Sequence, residues 1–299
     1  MRVEIRKEER SENTEKPRRA GRRLPRLSFK AGFRLLIFLG ILGIVGYVWY
    51  TVANIPNRFN ILIIGSDQRG EEQGRSDVLM VVSLPRSPKA PISIVTIPRD
   101  TRVTVPGFGE QKVTHAYALG ERPSDGKDLG NRDLTVRTVE QFLNAPVDGT
   151  VEVTFKSFEE IIDQVGGIVV NGKKLNGAAA LSLVRNRNRP GGDFARTTDQ
   201  RAVFAALGEK IKSSGMALSI WKTLQNSSET RVTLPKTRFW LFAGLATILR
   251  GGDWSLTDAH TDVIPGHGEM MYTKEFSKEL YYWIPDMDGT KKIVAEWLT

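Results

Sequence analysis

The chain has 299 residues, 40% of them hydrophobic and 26% charged, so it can bury a sizeable core and is not a disordered polymer. It has no cysteine, which excludes a disulfide framework, thiolate-ligated zinc, thiol catalysis and an iron–sulfur cluster. The net charge of +9 is unevenly spread: residues 1–34 hold 12 Lys/Arg and 5 Glu, and the remaining 265 hold 31 basic and 29 acidic side chains, so the excess belongs to a tail and a globally basic nucleic-acid-binding domain is not indicated.

In chain order the tail comes first, at residues 1–34. Its second half carries Arg18, Arg19, Arg22, Arg23, Arg26, Lys30 and Arg34 and no acid. From Leu35 to Asn57 no residue is charged. About 20 apolar residues at ~1.5 Å rise span a ~30 Å hydrocarbon core. Tyr47, Trp49 and Tyr50 stand near the far end, where amphipathic rings favour the interface. The run exceeds the roughly 7–15-residue core of a cleaved signal peptide and ends in bulky rings, so residues 35–57 read as an uncleaved transmembrane anchor. The basic flank keeps residues 1–34 cytoplasmic and places 58–299 outside the cell membrane. A nucleic-acid arm would also use such charges, but a topology signal attracted to anionic lipid explains them without a further partner.

Beyond the anchor, Asn60–Gly65, Val78–Leu84 and Ile92–Pro98 are continuous apolar runs, the pattern of buried strands, and Thr101–Pro106 alternates. Residues 107–130 are polar and glycine-rich and read as loop. A helix is expected at 133–143, with Val136, Val139 and Leu143 on one face, and another at Ser157–Val165, stopped by Gly166-Gly167. Thr150–Phe155 and Ile168–Val170 read as strands. A helix from about Thr197 to Ser213 presents Val203, Phe204, Leu207 and Ile211. Phe239–Leu249 is apolar all round, too short to span a bilayer, and reads as a buried helix. Residues 214–299 are expected to be helical and loop-rich, packed on the same body. Alternating strands and helices predict an α/β fold: an α–β–α layered domain with a central mixed sheet, preceded by one transmembrane helix.

Charged residues stand at the ends of the apolar strands, where α/β proteins place their sites. Asp67 follows the first, Asp77 precedes the second and Arg99 follows the third. Further on, residues 184–196 form an arginine-dense loop with Arg185, Arg187, Asp193 and Arg196. Two carboxylates with water and phosphate oxygens suit a hard cation such as Mg²⁺. Planar guanidinium groups bond phosphate oxygens bidentately. Together these residues are the equipment of phosphoryl transfer, in which positioning and charge stabilisation dominate. Arg185 and Arg187, two apart, would face the same way in an extended segment. A polyprenyl chain would need an apolar channel, for which Val78–Leu84, the Val203 to Ile211 face and Phe239–Leu249 are the candidates. Lys112 and His115 lie in the loop KVTHAYALG, where ligand contact or proton transfer is one reading and an ordinary loop packed by Tyr117 the preferred one; His260 and His267 read as surface residues.

The ordered series NILIIGSDQR, GRSDVLMVVSL, ISIVTIPRDT, KVTHAYALG, TVEQFLNAPVDGTVEVTF, FEEIIDQVGGIVV, LNGAAALSLVRNRNR and GGDFARTTDQ resembles the LytR–CpsA–Psr family over residues 58–213. The resemblance implies an extracytoplasmic domain at 58–299 that binds a polyisoprenyl phosphate lipid. It also implies an Mg²⁺-dependent phosphotransferase moving a polyprenyl-pyrophosphate-linked glycopolymer onto peptidoglycan. By the same resemblance Asp67 and Asp77 match the metal-associated acids, and Arg99, Arg185 and Arg187 the pyrophosphate-binding arginines. Asp193, Arg196 and Gln200 match polar residues around the head group, with Arg99 and Asp193 as catalytic candidates. Family members often carry Arg where this chain has Asp199. Gln200 also fits a helix-capping pattern with Thr197. A pyrophosphatase acting on the same lipid and a non-catalytic lipid- or glycan-binding regulator are the alternative functions.

Overall fold

The structure, a computed structural model, describes residues 29–67, 74–121, 129–186, 192–250, 258–273 and 277–299, with the backbone alone at 192–196 and at residues 29, 31, 51, 52, 236, 238 and 250. The chain divides into two units after Thr51. Helix α1 (Phe29–Ala53) carries the uncharged run, and its apolar residues lie on all sides. Its segment Gly32–Tyr50, with mean hydropathy 1.9, is long and apolar enough to cross a bilayer.

The second unit is built on one mixed sheet. Strand β1 (Arg58–Ser66) is followed by β2 (Ser76–Pro85), β3 (Ser93–Thr96) and a hairpin of β4 (Arg102–Val105) and β5 (Gly109–Lys112). Residues 107–130, expected as loop, therefore begin with a strand. Gly107 at φ +84° and Gly109 at φ +70° make the tight reversal that lets Val105 pair with Gly109. A 3₁₀ turn at Val113–Tyr117 and α2 (Arg132–Leu143) lead to β6 (Gly149–Thr154) and α3 (Phe155–Gln164). The start of α3 is fixed by a capping box between Thr154 and Ser157. Then come β7 (Ile168–Val170), β8 (Lys173–Leu175), α4 (Gly177–Arg185), α5 (Gly192–Ser214) and α6 (Ala217–Asn226). The last stretch holds β9 (Thr230–Thr233), α7 (Lys236–Arg250), β10 (His260–Val263), a second hairpin of β11 (Gly266–Thr273) and β12 (Lys278–Pro285), and α8 (Met287–Trp297).

The central sheet runs β10-β3-β2-β1-β6-β9. β1 is parallel to β6 and antiparallel to β2, and β2 is antiparallel to β3. Strands β1, β3 and β6 therefore end on the same edge, where β2 begins. The stretch after residue 213 is not an appendage: β9 and β10 close the sheet at its two edges. Side-chain alternation along β1 sends Leu62 and Ile64 into a core with Val139 of α2 and Val294 of α8. On the other face Ile63, Met80 and Phe204 pack together, beside a core in which α3, α4, α5 and α6 meet. These are the expected α–β–α layers.

Two helices differ from the sequence expectation. α5 begins at Gly192, five residues before Thr197, so Thr197 is buried inside the helix and cannot cap it. From Gly192 the backbone is helical through Asp193 to Thr197 and beyond. α7 is only half buried: Phe242 and Ala246 pack against Ile55 and Phe59, while Trp240 and Ile248 are exposed.

One buried polar cluster ties the layers together. Glu152 on β6 is fully buried, and Arg231 on β9 places Nη1 at 2.9 and 3.1 Å from its two carboxylate oxygens. The Tyr117 hydroxyl donates to Glu152 Oε2 at 3.1 Å. Burial pushes the Glu152 carboxyl up to about 7, against the opposing pull of Arg231 and of the Tyr117 hydrogen bond. The same burial, with the adjacent carboxylate, raises the Tyr117 phenol.

Candidate active site at the carboxyl end of the sheet

The shared edge of β1, β3 and β6 gathers the strand-end residues. β1 and β2 shift register between Gly65 and Ser66. A Cβ at Gly65 would lie 2.9 Å from Val78 Cβ, so a residue without a side chain is needed where the strands close up. Just beyond, the Asp67 amide donates to the Arg75 carbonyl at 3.1 Å, and the Arg75 amide donates to Asp67 Oδ1 at 2.7 Å. This clasp holds the Asp67 carboxylate beside the start of β2, which carries Asp77.

Asp67, Asp77, Arg185 and Gln200 line one polar cavity of about 260 Å³, with Val78, Phe155 and Val184. Arg99 reaches Asp77, its Nη1 donating to Oδ1 at 2.7 Å, and its Nε lies 3.4 Å from Asp100 Oδ2. Lys112 Nζ completes the chain at 2.7 Å from Asp100 Oδ1. Acid and base thus alternate from Asp77 through Arg99 and Asp100 to Lys112. All four side chains are largely buried, at 13–21% exposure, so the geometry is better fixed than in a solvated surface pair. The loop itself is held from behind: the Trp283 amide of β12 donates to the Asp100 carbonyl at 2.9 Å, and Thr101 bridges to Trp283.

Arg185 is the last residue of α4, not part of an extended segment, because the apolar periodicity of α4 carries the helix up to it. Its guanidinium carbon sits 4.9 Å from the Phe155 ring centroid, a cation–π seat that aims it across the cavity. Gln200 is buried on α5 and donates from Nε2 to the Val184 carbonyl at 3.4 Å. Arg187 lies outside the described residues. Asp193 and Arg196 are placed by backbone alone, in the first turn and a half of α5. Asp199 is buried on α5. His115 Nδ1 faces Gln111 Oε1 at 3.0 Å, while Tyr117 packs inward as expected for an ordinary loop. Asp100 and Lys112 join the arginine and the acids here, although the sequence pattern favours an ordinary loop for Lys112 and gives Asp100 no role of its own. Lys112 sits on a hairpin hidden in apparent loop, and Asp100 was legible only as the neighbour of Arg99.

A second cavity, also about 260 Å³, adjoins the first and is almost wholly apolar. Val78, Phe155, Val184 and Gln200 line both. Val78 and Met80 of β2 and Val203, Phe204, Leu207 and Ile211 of α5 contribute walls, as expected for a lipid channel. α7 does not, because it packs on Phe59 and Ile55 elsewhere. The apolar cavity and the polar one thus share a wall at one end of the sheet, an arrangement that suits a ligand with an apolar part and an ionic part.

Asp67 and Asp77 line the same cavity, and carboxylate oxygens are the ligand type a hard cation takes. Asp67 and Asp77 each engage Oδ1, which leaves Oδ2 as a ligand. Among the described residues no cluster of three acids or histidines exists, so such a cation would complete its shell with water and phosphate oxygens.

The LytR_cpsA_psr family model matches residues 51–174 and 171–293, which extends the likeness well past residue 213. The chain is 33% identical over 257 residues to a polyisoprenyl-teichoic acid–peptidoglycan teichoic acid transferase TagU of Bacillus mycoides, covering 79% of this chain and 78% of that protein. It is 38% identical over 260 residues to TagU of Bacillus cereus, with 79% and 78% covered. Among solved structures, Bacillus subtilis TagV superposes with a TM-score of 0.60 at 28% identity, covering 81% of this chain and 97% of that one. TagT bound to LI-WTA gives 0.59 at 27%, covering 81% and 89%. The chain belongs to the LytR–CpsA–Psr family.

Proposed function

We propose that the protein is a membrane-anchored phosphotransferase that moves a polyprenyl-pyrophosphate-linked glycopolymer onto peptidoglycan and releases polyprenyl phosphate. One observation carries this reading: a charged cavity and an apolar cavity join across Val78, Phe155, Val184 and Gln200. A substrate with an ionic pyrophosphate between a hydrocarbon tail and a sugar matches that division. The names of the TagU relatives describe transfer between the same two classes of molecule. The seven basic residues of 17–34 support an orientation with residues 1–34 in the cytoplasm and 58–299 outside.

In the mechanism, an acceptor sugar hydroxyl attacks the phosphorus that bears the glycopolymer. A new O–P bond forms, the P–O–P bond breaks, and polyprenyl phosphate leaves with the electron pair. The hydroxyl proton passes to a carboxylate at this end of the sheet, for which Asp193, Asp67 and Asp77 are the candidates. Arg99 and Arg185 bond the pyrophosphate oxygens where negative charge accumulates. Arg187 and Arg196 belong to the same group by sequence. Asp100 and Lys112 position Arg99.

Three acids (Asp67, Asp77, Asp100) and three bases (Arg99, Lys112, Arg185) balance at the described site. A pyrophosphate bound there needs further positive charge, so we propose that Asp67 and Asp77 hold Mg²⁺. That ion would supply Lewis-acid neutralisation of the phosphate oxygens. Asp67→Asn and Asp77→Asn should each weaken Mg²⁺ binding about tenfold, read by calorimetry with inorganic pyrophosphate present. Unchanged affinity in both variants would remove the assignment.

The experiment for the function uses the full chain in nanodiscs with radiolabelled polyprenyl-pyrophosphate glycan and peptidoglycan. Label should appear in the peptidoglycan; release of free glycan phosphate alone would make the protein a pyrophosphatase. Leu207→Trp, which fills the apolar chamber, should weaken lipid binding tenfold or more, about 1.4 kcal/mol. Near-normal binding and transfer by that variant would separate the chamber from the substrate.

A further inference from the structure

α7 turns an unusual face outward. Phe242 and Ala246 lie on its inner side, packed with Phe59 and Ile55. At 100° per residue, Trp240, Gly244, Thr247 and Ile248 share the opposite side. Trp240 is 62% exposed and Ile248 79%. No residue from Phe239 to Leu249 is charged. A helix at a water surface carries charged or polar side chains outward, and this one carries a tryptophan, an isoleucine, a bare glycine and a single threonine, with no charge among them.

Two observations indicate what covers this face. The inner partner Ile55 follows Tyr50, the end of the apolar span, by five residues. Five residues reach at most ~18 Å, so the chain cannot carry Ile55 further than that from the end of the span. The helix is also bracketed in sequence by Lys236, Arg238 and Arg250, the flanking that favours anionic lipid around an apolar face.

We propose that α7 is an interfacial helix: its Trp240–Gly244–Ile248 face lies in the outer surface of the bilayer that α1 crosses. This rests on the anchor reading above. The helix gives the body a second membrane contact besides the covalent tether. It fixes the body against the surface from which a lipid-linked substrate is drawn.

The absence of cysteine makes the test clean. Ile248→Cys, and as control Lys291→Cys on the exposed side of α8, are labelled with an environment-sensitive fluorophore in the full chain. Both are reconstituted into vesicles of phosphatidylcholine and phosphatidylglycerol, with or without brominated acyl chains. The label at 248 should shift to shorter wavelength and lose at least half its emission to brominated lipid, while the label at 291 changes little. An impermeant thiol reagent added outside whole cells should reach 291, which reads the topology separately. A chain that floats with the vesicles while its 248 label stays water-like overturns the inference and leaves the anchor standing. Shielding of 248 by cross-linkable contact with a second copy, without lipid quenching, overturns it as well. A chain that does not float overturns both, since α7 depends on the anchor to reach the bilayer.

Discussion

Replacing Arg231 with alanine is expected to cost about 3–5 kcal/mol of stability, because it leaves the Glu152 carboxylate buried without its partner. Glu152 has no exposed surface, and both its oxygens face Arg231 Nη1 within 3.1 Å. Solvent cannot replace that guanidinium. The pH dependence follows from the raised carboxyl. Its folded value, about 7, lies above the ordinary 4.5, so the folded protein holds more protons than the unfolded chain between those values. The stability from this group is complete below about 4.5 and falls as pH rises through 7. Losing Arg231 removes the main force that opposes burial, so the folded value rises and the loss extends to higher pH. Thermal midpoints in detergent should drop by about 10 °C, more at pH 8 than at pH 5. Glu152→Gln in the Arg231→Ala background should recover part of the loss and flatten its pH dependence. A drop of under about 1 kcal/mol, equal at both pH values, would show that the pair is not a structural tie.

The legible parts of this fold were those whose signal is local. NILIIG and VLMVVSL announce buried central strands by unbroken apolarity, and both lie in the middle of the sheet. β9 and β10, TRVT and HTDV, read as nothing in particular, because edge strands are half solvated and alternate weakly. The strand-end placement of Asp67, Asp77 and Arg99 was legible because strand ends are a place that periodicity can locate. The Glu152–Arg231 pair was not, since it joins residues 79 apart and depends on a sheet order that no window reveals. The α4 boundary shows a finer failure. Arg185 was expected in an extended segment with Arg187, yet the helix absorbs it, and its aim comes from Phe155, thirty positions earlier. α7 shows the reverse: its apolarity was read correctly, and its surroundings were not.

Arg99→Lys is expected to lower turnover about 100- to 1,000-fold while leaving the fold intact, the effect of removing one preorganised donor from a site of developing charge. The reason lies in the fork. In the structure Nη1 is committed to Asp77 and Nε faces Asp100, so the guanidinium plane is set before substrate arrives. A guanidinium presents five donors in one plane, so a single group can meet carboxylate and phosphate oxygens together. An ammonium could keep the contact with Asp77, but it lacks the planar fork and cannot span both carboxylates while also meeting a phosphate. Charge is therefore conserved and geometry lost. Lys112→Ala should act more weakly and differently: it frees Asp100, loosens Arg99 and lowers turnover without removing a phosphate ligand. Binding and rate separate the two roles. Arg99→Lys should weaken affinity for inorganic pyrophosphate as well as slow transfer, whereas Lys112→Ala should slow transfer with affinity nearly kept. If Arg99→Lys transfers glycan at close to the normal rate, Arg99 is a structural partner of Asp77 alone, and stabilisation of the leaving phosphate must come from Arg185 and the arginines of residues 187–196.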